Sequence, residues 1–347
     1  DFQRDRDRII HSTAFRRLKH KTQVFVNTSG DHFRTRITHS LEVSQIARTL
    51  SKFFNLNEDL SETLSLAHDL GHTPFGHAGE EALNNCMKKY GGFDHNIQTL
   101  RIITSLENRY YNFNGLNLTF ETLDGLIKHN GPVNNLTKLN NILGLNFFKN
   151  KINFLDNTSL EAQIASISDD IAYNSHDLED GLKSNLFQLN DLKNIPVLNK
   201  IVYKHKKKIR KYSNDLIVRQ IIREIINEMV SDVIKTTQKN IKLNNIKNLK
   251  DVYQLENQIV CFSGKMKKFD LKIKNFLKQK MYFHKSVNKN TNNGKKIINN
   301  LFLLIKKKPK KYINIRKYKN LNIERIICDY IAGMTDRYAI NLYKKIK

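Results

Sequence analysis

The chain has 347 residues, of which 39% are hydrophobic, and 59 Lys and Arg against 33 Asp and Glu give a net charge of +26. Only 4 prolines and 14 glycines occur, which disfavours a turn-rich β-fold and predicts an all-α protein with long helices. This length suffices for one large domain or two ordinary ones. No apolar run approaches the roughly 20 residues that span a bilayer, so we expect a soluble protein with no membrane partner.

Cysteine usage and charge narrow the class further. Cys86, Cys261 and Cys328 stand far apart, which argues against a disulfide framework or a cysteine zinc site and favours a cytoplasmic protein. The positive charge attracts polyanions such as nucleotides or nucleic acid. However, Asn, Ile and Lys are all abundant, as AT-rich codons would make them, so the charge alone decides nothing. The sequence starts with charged residues and no apolar signal segment, and because Asp1 is not Met, we expect residues to be missing upstream.

Apolar spacing predicts four helices in the first half of the chain. The first begins near Ser40, and the second ends at a carboxy-terminal stop at Gly71. A third begins near Gly79, after a Thr-Pro break in the chain. The fourth, residues 160–182, has the clearest helical pattern and is closed by Gly181.

The second half of the chain differs in composition. Residues 186–347 are rich in Lys and Asn, with basic runs at 204–208 and 306–311, yet apolar residues recur there at helical spacing. We interpret the basic runs as solvated helix faces rather than as DNA contacts, and the polar stretch 286–294 as a loop. We therefore divide the chain into a catalytic core, residues 1–185, and a lysine-rich helical part.

Four side chains are candidates for binding a divalent cation. His68 and Asp69 are adjacent, and His39 and Asp169 lie on the predicted helices before and after them. Imidazole nitrogens and carboxylate oxygens together suit Mn, Fe, Zn, Ni or Mg. Three crossing helices would bring the four donors together and leave positions open for water and substrate. The order of these residues favours a metal site over the alternative, in which each is an ordinary polar residue.

A second pair of polar side chains follows the His-Asp pair. His77 and Glu80 are three residues apart where a helix is predicted to start, so they share a face. A carboxylate beside an imidazole fixes its tautomer and raises its basicity, which suits proton transfer or phosphate contact. The alternative is a charge pair at a helix amino terminus.

The fourth predicted helix carries a row of functional groups. Asp169, Tyr173 and Asp177 recur every fourth residue and therefore line one face. This row could offer a metal ligand, an aromatic surface for a sugar or base, and an acceptor for a hydroxyl group. The alternative is a solvated polar face. Asp170 points away from the row, and we interpret it as a surface residue.

Six segments of the chain carry a family resemblance: residues 4–18, 21–25, 34–42, 68–80, 161–181 and 329–336. In this order, they resemble the dGTPase family of HD-domain deoxynucleoside triphosphate triphosphohydrolases, above all its shorter bacterial dGTPase-like branch. The resemblance spans most of the chain and weakens between about residues 183 and 320. It implies an HD-domain helical bundle with a helical carboxy-terminal extension, whose last segment, about residues 325–347, packs back on the core.

The resemblance also implies an activity. It is the hydrolysis of dGTP, or of deoxynucleoside triphosphates generally, to deoxynucleoside and inorganic triphosphate, with a divalent metal ion such as Mg or Mn. Family members are commonly homo-oligomers, and some bind single-stranded DNA. By residue, the resemblance implies His39, His68, Asp69 and Asp169 as metal ligands; His77 and Glu80 as the catalytic pair; and Gln23, Arg36, Tyr173, Asp177, His72 and His95 as substrate contacts.

Two alternatives compete with this activity. The chain could be an HD phosphohydrolase for another nucleotide, although residues 22–25 and 329–336 argue against this. It could instead be a basic nucleic-acid-binding protein with a vestigial metal site, but all four donors and the His77–Glu80 pair are intact. The sequence does not specify the preferred dNTP, the metal, the oligomer size or an activator.

Overall fold

The computed structural model describes residues 1–23, 34–143, 152–205, 211–314 and 322–346. These residues form α-helices joined by short 3-10 and π-helical turns, and none of them belongs to a β-strand. The predicted all-α class is therefore confirmed. In chain order, the helices are α1 (Phe2–Ile10), α2 (Thr13–Arg17), α3 (Arg36–Phe53), α4 (Glu58–Ala67), α5 (Gly76–Met87), α6 (His95–Arg101), α7 (Phe120–Ile127), α8 (Leu136–Leu143), α9 (Leu160–Lys183), α10 (Leu198–His205), α11 (Asn214–Leu243), α12 (Leu249–Tyr253), α13 (Gly264–Leu277), α14 (Lys285–Lys307), α15 (Ile323–Ala332) and α16 (Asp336–Ile346).

The four predicted helices exist with shifted ends. Helix α3 begins four residues before Ser40 because Thr35 and Thr38 form a capping box at its amino terminus. Helix α9 continues past Gly181, which was predicted to close it. That glycine instead allows close packing, because a Cβ there would lie 2.3 Å from Cε1 of Phe187.

The loop predicted at residues 286–294 is wrong, because these residues lie in α14. The imidazole of His284 caps the helix by accepting from the backbone N–H of Ser286. Val287 is buried, and Gly294 lets the helix approach Phe75 so closely that a Cβ would lie 2.8 Å from the Phe75 ring. Tertiary packing of one face therefore overrides the weak helix propensity of this polar segment.

Buried apolar side chains form three clusters. The first joins α3 and α9 to α10, α11 and α13, the second lies among α1, α2, α4, α6 and α7, and the third joins α5 to α14, α15 and α16. The first cluster draws on both sides of residue 185, and the proposed division there stays a prediction. None of the described helices is long and apolar enough to cross a membrane.

Candidate active site

Three helices that pack against one another bring three candidate ligands together. His39 lies in the first part of α3, His68 is the residue that follows α4, and Asp169 lies in the middle of α9. Oδ1 of Asp169 is 2.9 Å from Nε2 of His39 and 3.6 Å from Nε2 of His68. The candidate ligand atoms of these residues lie within 4.8 Å of one another.

Asp69 borders this cluster and connects it to other predicted site residues. One carboxylate oxygen lies 3.5 Å from Nε2 of His68 and 3.0 Å from Nδ1 of His72. The other accepts a hydrogen bond of 2.8 Å from Arg36. Burial disfavours the charged carboxylate, but the positive charge of Arg36 holds the pKa of Asp69 well below its usual range.

The donor set fits a divalent cation. Nδ1 of His68 lies 2.7 Å from the carbonyl oxygen of Ser65, so this nitrogen carries the proton and Nε2 is left as a lone-pair donor. That Nε2 is buried and makes no hydrogen bond. Burial disfavours protonation, but the carboxylates of Asp69 and Asp169 outweigh it and raise the pKa of His68 to about 9, so a bound cation would take the place of the proton on Nε2 at neutral pH. Two imidazoles and two carboxylates match the mixed ligands of first-row divalent ions.

His129 is a neighbour of this cluster that the sequence analysis missed. It follows α7, and its Nε2 lies 3.5 Å from Oδ2 of Asp169. Its ring stacks on that of His68 with 5.1 Å between the centroids. No spacing relation to the other histidines marks it in the sequence, because only the packing of α7 against α4 and α9 brings it here.

Glu80 organises a second cluster of histidines. One of its oxygens accepts from the backbone N–H of His95 at 3.0 Å and lies 2.8 Å from Nδ1 of the same residue. The other lies 3.4 Å from Nδ1 of His77, whose side chain is 68% exposed. The His72 and His95 rings are 3.9 Å apart. Burial disfavours the charged carboxylate, but hydrogen bonds from His77 and His95 lower the pKa of Glu80.

Tyr282 joins the predicted row on α9 and was also missed by the sequence analysis. It ends the π-helical turn Lys278–Tyr282 that follows α13, a kind of turn that is frequent at functional sites. Its hydroxyl donates to the Asp177 carboxylate and lies 2.5 Å from the Tyr173 hydroxyl. Burial raises the pKa of Asp177 to about 7, although the hydrogen bond from Tyr282 opposes the rise.

Three predicted substrate contacts carry buried polar atoms without a hydrogen-bond partner. They are Oε1 of Gln23, Nε of Arg36 and Nε2 of His72. Such orphaned atoms are rare in proteins and indicate a place for a ligand or water. The rest of the predicted Thr-Gln-Val-Phe segment, Val24 and Phe25, lies outside the described residues.

One cavity of about 680 Å³ unites these groups. It has the size expected for a pocket that holds a small molecule. Two predicted site residues lie behind its wall: Glu80 supports His77 and His95, and Asp177 supports Tyr282. The other predicted site residues line it: Gln23, Arg36, His39, His68, Asp69, His72, His77, His95, Asp169 and Tyr173.

Three lysines from the carboxy-terminal half of the chain also line this cavity. Lys274 and Lys278 come from the end of α13 and the turn after it, and Lys295 comes from α14. Asp170, interpreted from the sequence as a surface residue, also lines the cavity and lies 2.6 Å from Nζ of Lys274. The three lysines belong to no local motif, so nothing in the sequence singled them out.

Comparisons with known proteins agree with this arrangement. The HD domain family model matches residues 36–174, and that of the phosphohydrolase-associated domain matches residues 260–345. Three relatives are named deoxyguanosinetriphosphate triphosphohydrolase-like protein. The one from Pelagibacter ubique is 61% identical over 345 residues, with 99% of this chain and 93% of the relative covered. Those from Bartonella quintana and Rickettsia felis are 48% and 43% identical, covering 99% and 100% of this chain and 88% and 91% of the relatives.

The matched ranges coincide with the two halves of the site. The HD domain match contains all three residues of the His39–His68–Asp169 cluster, and the phosphohydrolase-associated match contains Lys274 and Tyr282. The predicted family is therefore confirmed: the chain is a hydrolase that belongs to the dGTPase-like family of HD-domain phosphohydrolases.

Proposed function

We propose that this hydrolase cleaves deoxynucleoside triphosphates, dGTP among them, to deoxynucleoside and inorganic triphosphate. The observation that carries the proposal is one cavity lined by a metal-type donor cluster, by histidines that Glu80 holds from behind, by cationic side chains and by the hydroxyls of Tyr173 and Tyr282. The name of the relatives, deoxyguanosinetriphosphate triphosphohydrolase-like protein, points to the same class of substrate.

His39, His68, Asp69 and Asp169 would hold the divalent ion, with Mg or Mn as the candidates. When bound, the ion would supply Lewis acidity toward a phosphoryl oxygen and toward water. Three of these four residues, His39, His68 and Asp169, already have their candidate ligand atoms within 4.8 Å of one another. His129 would orient Asp169 through its other carboxylate oxygen, because Nε2 of His129 lies 3.5 Å from Oδ2 of Asp169.

Cationic side chains would hold the triphosphate. Arg36 offers a planar guanidinium whose Nε has no partner, which suits paired hydrogen bonds to a phosphate. Lys274, Lys278 and Lys295 line the same cavity and add compact positive charges. These groups would stabilise both the bound substrate and the charge that develops during cleavage.

His77 and Glu80 would handle the proton of the leaving group. In the proposed reaction, water attacks the α-phosphorus and the bond to the 5′-oxygen breaks, so that oxygen must gain a proton. Glu80 accepts from Nδ1 of His77 at 3.4 Å, which leaves Nε2 to deliver a proton as general acid. Glu80 also fixes His95, so it would set the position of both imidazoles.

The deoxyribose would lie between Gln23 and the tyrosine pair. Oε1 of Gln23 needs a donor, and a sugar hydroxyl would supply one. Tyr173, held by Tyr282 and Asp177, would leave no room for a 2′-hydroxyl. Equal turnover of GTP and dGTP would contradict this selection against ribonucleotides.

Product identification tests the proposed reaction. The purified protein would be incubated with each of the four dNTPs, singly and mixed, with Mn or Mg, and products followed by ³¹P NMR. We expect inorganic triphosphate to appear together with the deoxynucleoside, and Asp69→Ala to abolish both. Pyrophosphate, orthophosphate or no product from any dNTP would contradict the proposal, and would favour an HD phosphohydrolase for another nucleotide.

A further inference from the structure

We propose that Asp336, at the start of α16, is a positioning residue that holds two walls of the active site together. One wall is the segment Lys21–Gln23 and the other is the turn His72–Gly76. We call the contacts of Asp336 with these two walls the clamp. The clamp is a property of the fold, so the inference rests on the proposed function for its kinetic consequences only. It gives a role to the end of the 329–336 segment, which lies outside the catalytic cavity.

The Asp336 carboxylate is buried and uses both oxygens. Oδ2 accepts from the backbone N–H of Thr22 at 3.0 Å and from the Thr22 hydroxyl. Oδ1 accepts from the backbone N–H of Phe75 at 3.0 Å. Thr22 directly precedes Gln23, and Phe75 directly precedes the helix that carries His77. One side chain, only 2% exposed, therefore bridges the proposed sugar contact and the proposed catalytic helix.

The residue that Asp336 holds on the catalytic side has a strained backbone. Phe75 has a φ of 64°, in the left-handed region, and is the N-cap of α5 without a side-chain cap. A non-glycine residue persists there only where its surroundings impose it. The hydrogen bond to Asp336 and the contact of the Phe75 ring with Gly294 supply these surroundings.

Lys21 is a second buried side chain that connects the two walls. Its side chain is 2% exposed, and Nζ donates to the carbonyl oxygen of His72 and, at 2.9 Å, to that of Ala332. The two walls and the Ala332–Asp336 turn are therefore joined by two buried ionisable side chains. The two walls also lie next to each other, since a Cβ on Gly76 would lie 3.4 Å from the Gln23 carbonyl oxygen, an ordinary van der Waals distance.

The substitution Asp336→Asn tests the clamp with little change in side-chain shape. All three partners of Asp336 are donors, and an amide has one acceptor oxygen where the carboxylate has two. Asp336→Asn therefore keeps the shape but must release Thr22 or Phe75. The matched control is Asp329→Asn, which is also buried in this segment but whose carboxylate accepts from Arg101 and Gln98 instead.

Amide hydrogen exchange tests the clamp without any need for activity. In Asp336→Asn, we expect exchange of the Thr22 or Phe75 amide to accelerate by about tenfold or more relative to wild type. We expect Asp329→Asn to leave these two amides at the wild-type rate once any global change, read from α11, is subtracted. Unchanged exchange at both amides in Asp336→Asn would overturn the proposal, as would an increase no larger than that in α11.

Kinetics then show whether the clamp positions the proposed reaction. With dGTP, we expect Asp336→Asn to lose about tenfold or more in kcat or to narrow the preference for dGTP over GTP, while Asp329→Asn keeps both. Faster exchange with unaltered kinetics would overturn the positioning role. If wild type hydrolyses no dNTP, the proposed function fails, and the exchange rates still decide whether the clamp exists.

Discussion

Gly79 lies between His77 and Glu80 and has no room for a side chain. A Cβ there would lie 1.9 Å from the carbonyl oxygen of Pro74 and 2.8 Å from Oγ1 of Thr73, whereas real Cβ contacts essentially never fall below 3.0 Å. Gly79→Ala must therefore shift the turn or the first part of α5 by about 1 Å, since the close-packed interior has no free volume to absorb the methyl group.

The size of the expected defect follows from that shift. A misplacement of about 1 Å in a catalytic group costs on the order of 10²-fold in rate, which corresponds to about 2.7 kcal/mol of activation free energy. Intrinsic helix propensity acts in the opposite direction, because alanine is favoured over glycine in a helix by about 1 kcal/mol. A loss of activity would therefore report the steric effect alone.

Gly264 provides the matched control, because it begins α13 and a Cβ there would meet nothing within 4 Å. We predict that Gly79→Ala loses about 10²-fold in the kcat of triphosphate release, while Gly264→Ala retains wild-type kcat. Circular dichroism would show that both variants keep their helices at the assay temperature. A folded Gly79→Ala variant with wild-type kcat would refute the placement of His77 and Glu80 in the reaction.

Three further substitutions test the stability and specificity of the site. Burial lowers the pKa of Lys21 from 10.5 to about 7, so the unfolded chain binds more protons between these values and stability should rise with pH there. In urea unfolding, Lys21→Met should lower the slope of the unfolding free energy against pH by about 1.4 kcal/mol per pH unit. An unchanged slope would contradict the lowered pKa of Lys21. Arg101→Met leaves the buried Asp329 carboxylate without its cation and should lower the free energy of unfolding by about 3–5 kcal/mol; a loss below about 1 kcal/mol would argue against the ion pair. Tyr282→Phe should lower kcat/KM for dGTP by about tenfold and leave kcat/KM for GTP less affected, whereas equal losses for both would separate Tyr282 from sugar selection.

The sequence was sufficient for the parts of the site that lie in local motifs. The His68–Asp69 pair was predicted at the end of a helix and directly follows α4, and the spacing of Asp169, Tyr173 and Asp177 placed them on one face of another helix. Metal-type donors on separate helices were also recognisable, because their residue types and order limit the chemistry. Helix ends were less accurate, since capping by Thr35 extended α3 beyond its apolar pattern.

The remaining site residues depend on long-range packing. His129 enters from the end of α7, and Tyr282 from a π-helical turn after α13, more than 100 residues from the groups it binds. No periodicity in the sequence relates either of them to α9. The segment 286–294 was predicted as a loop for the same reason: its helical state is stabilised by contact with Phe75, which the local composition does not reveal.

Divalent-ion binding tests the central claim most directly, and the neighbouring residues Asp169 and Asp170 allow a matched comparison. Asp169 faces His39 and His68, whereas Asp170 binds Lys274. Manganese titration of chelator-treated protein, followed by electron paramagnetic resonance, should show one tight site per chain in wild type and Asp170→Asn. Asp169→Asn should weaken that site by about tenfold or more. Equal manganese affinity in Asp169→Asn and wild type would contradict the assignment of this cluster as the metal centre.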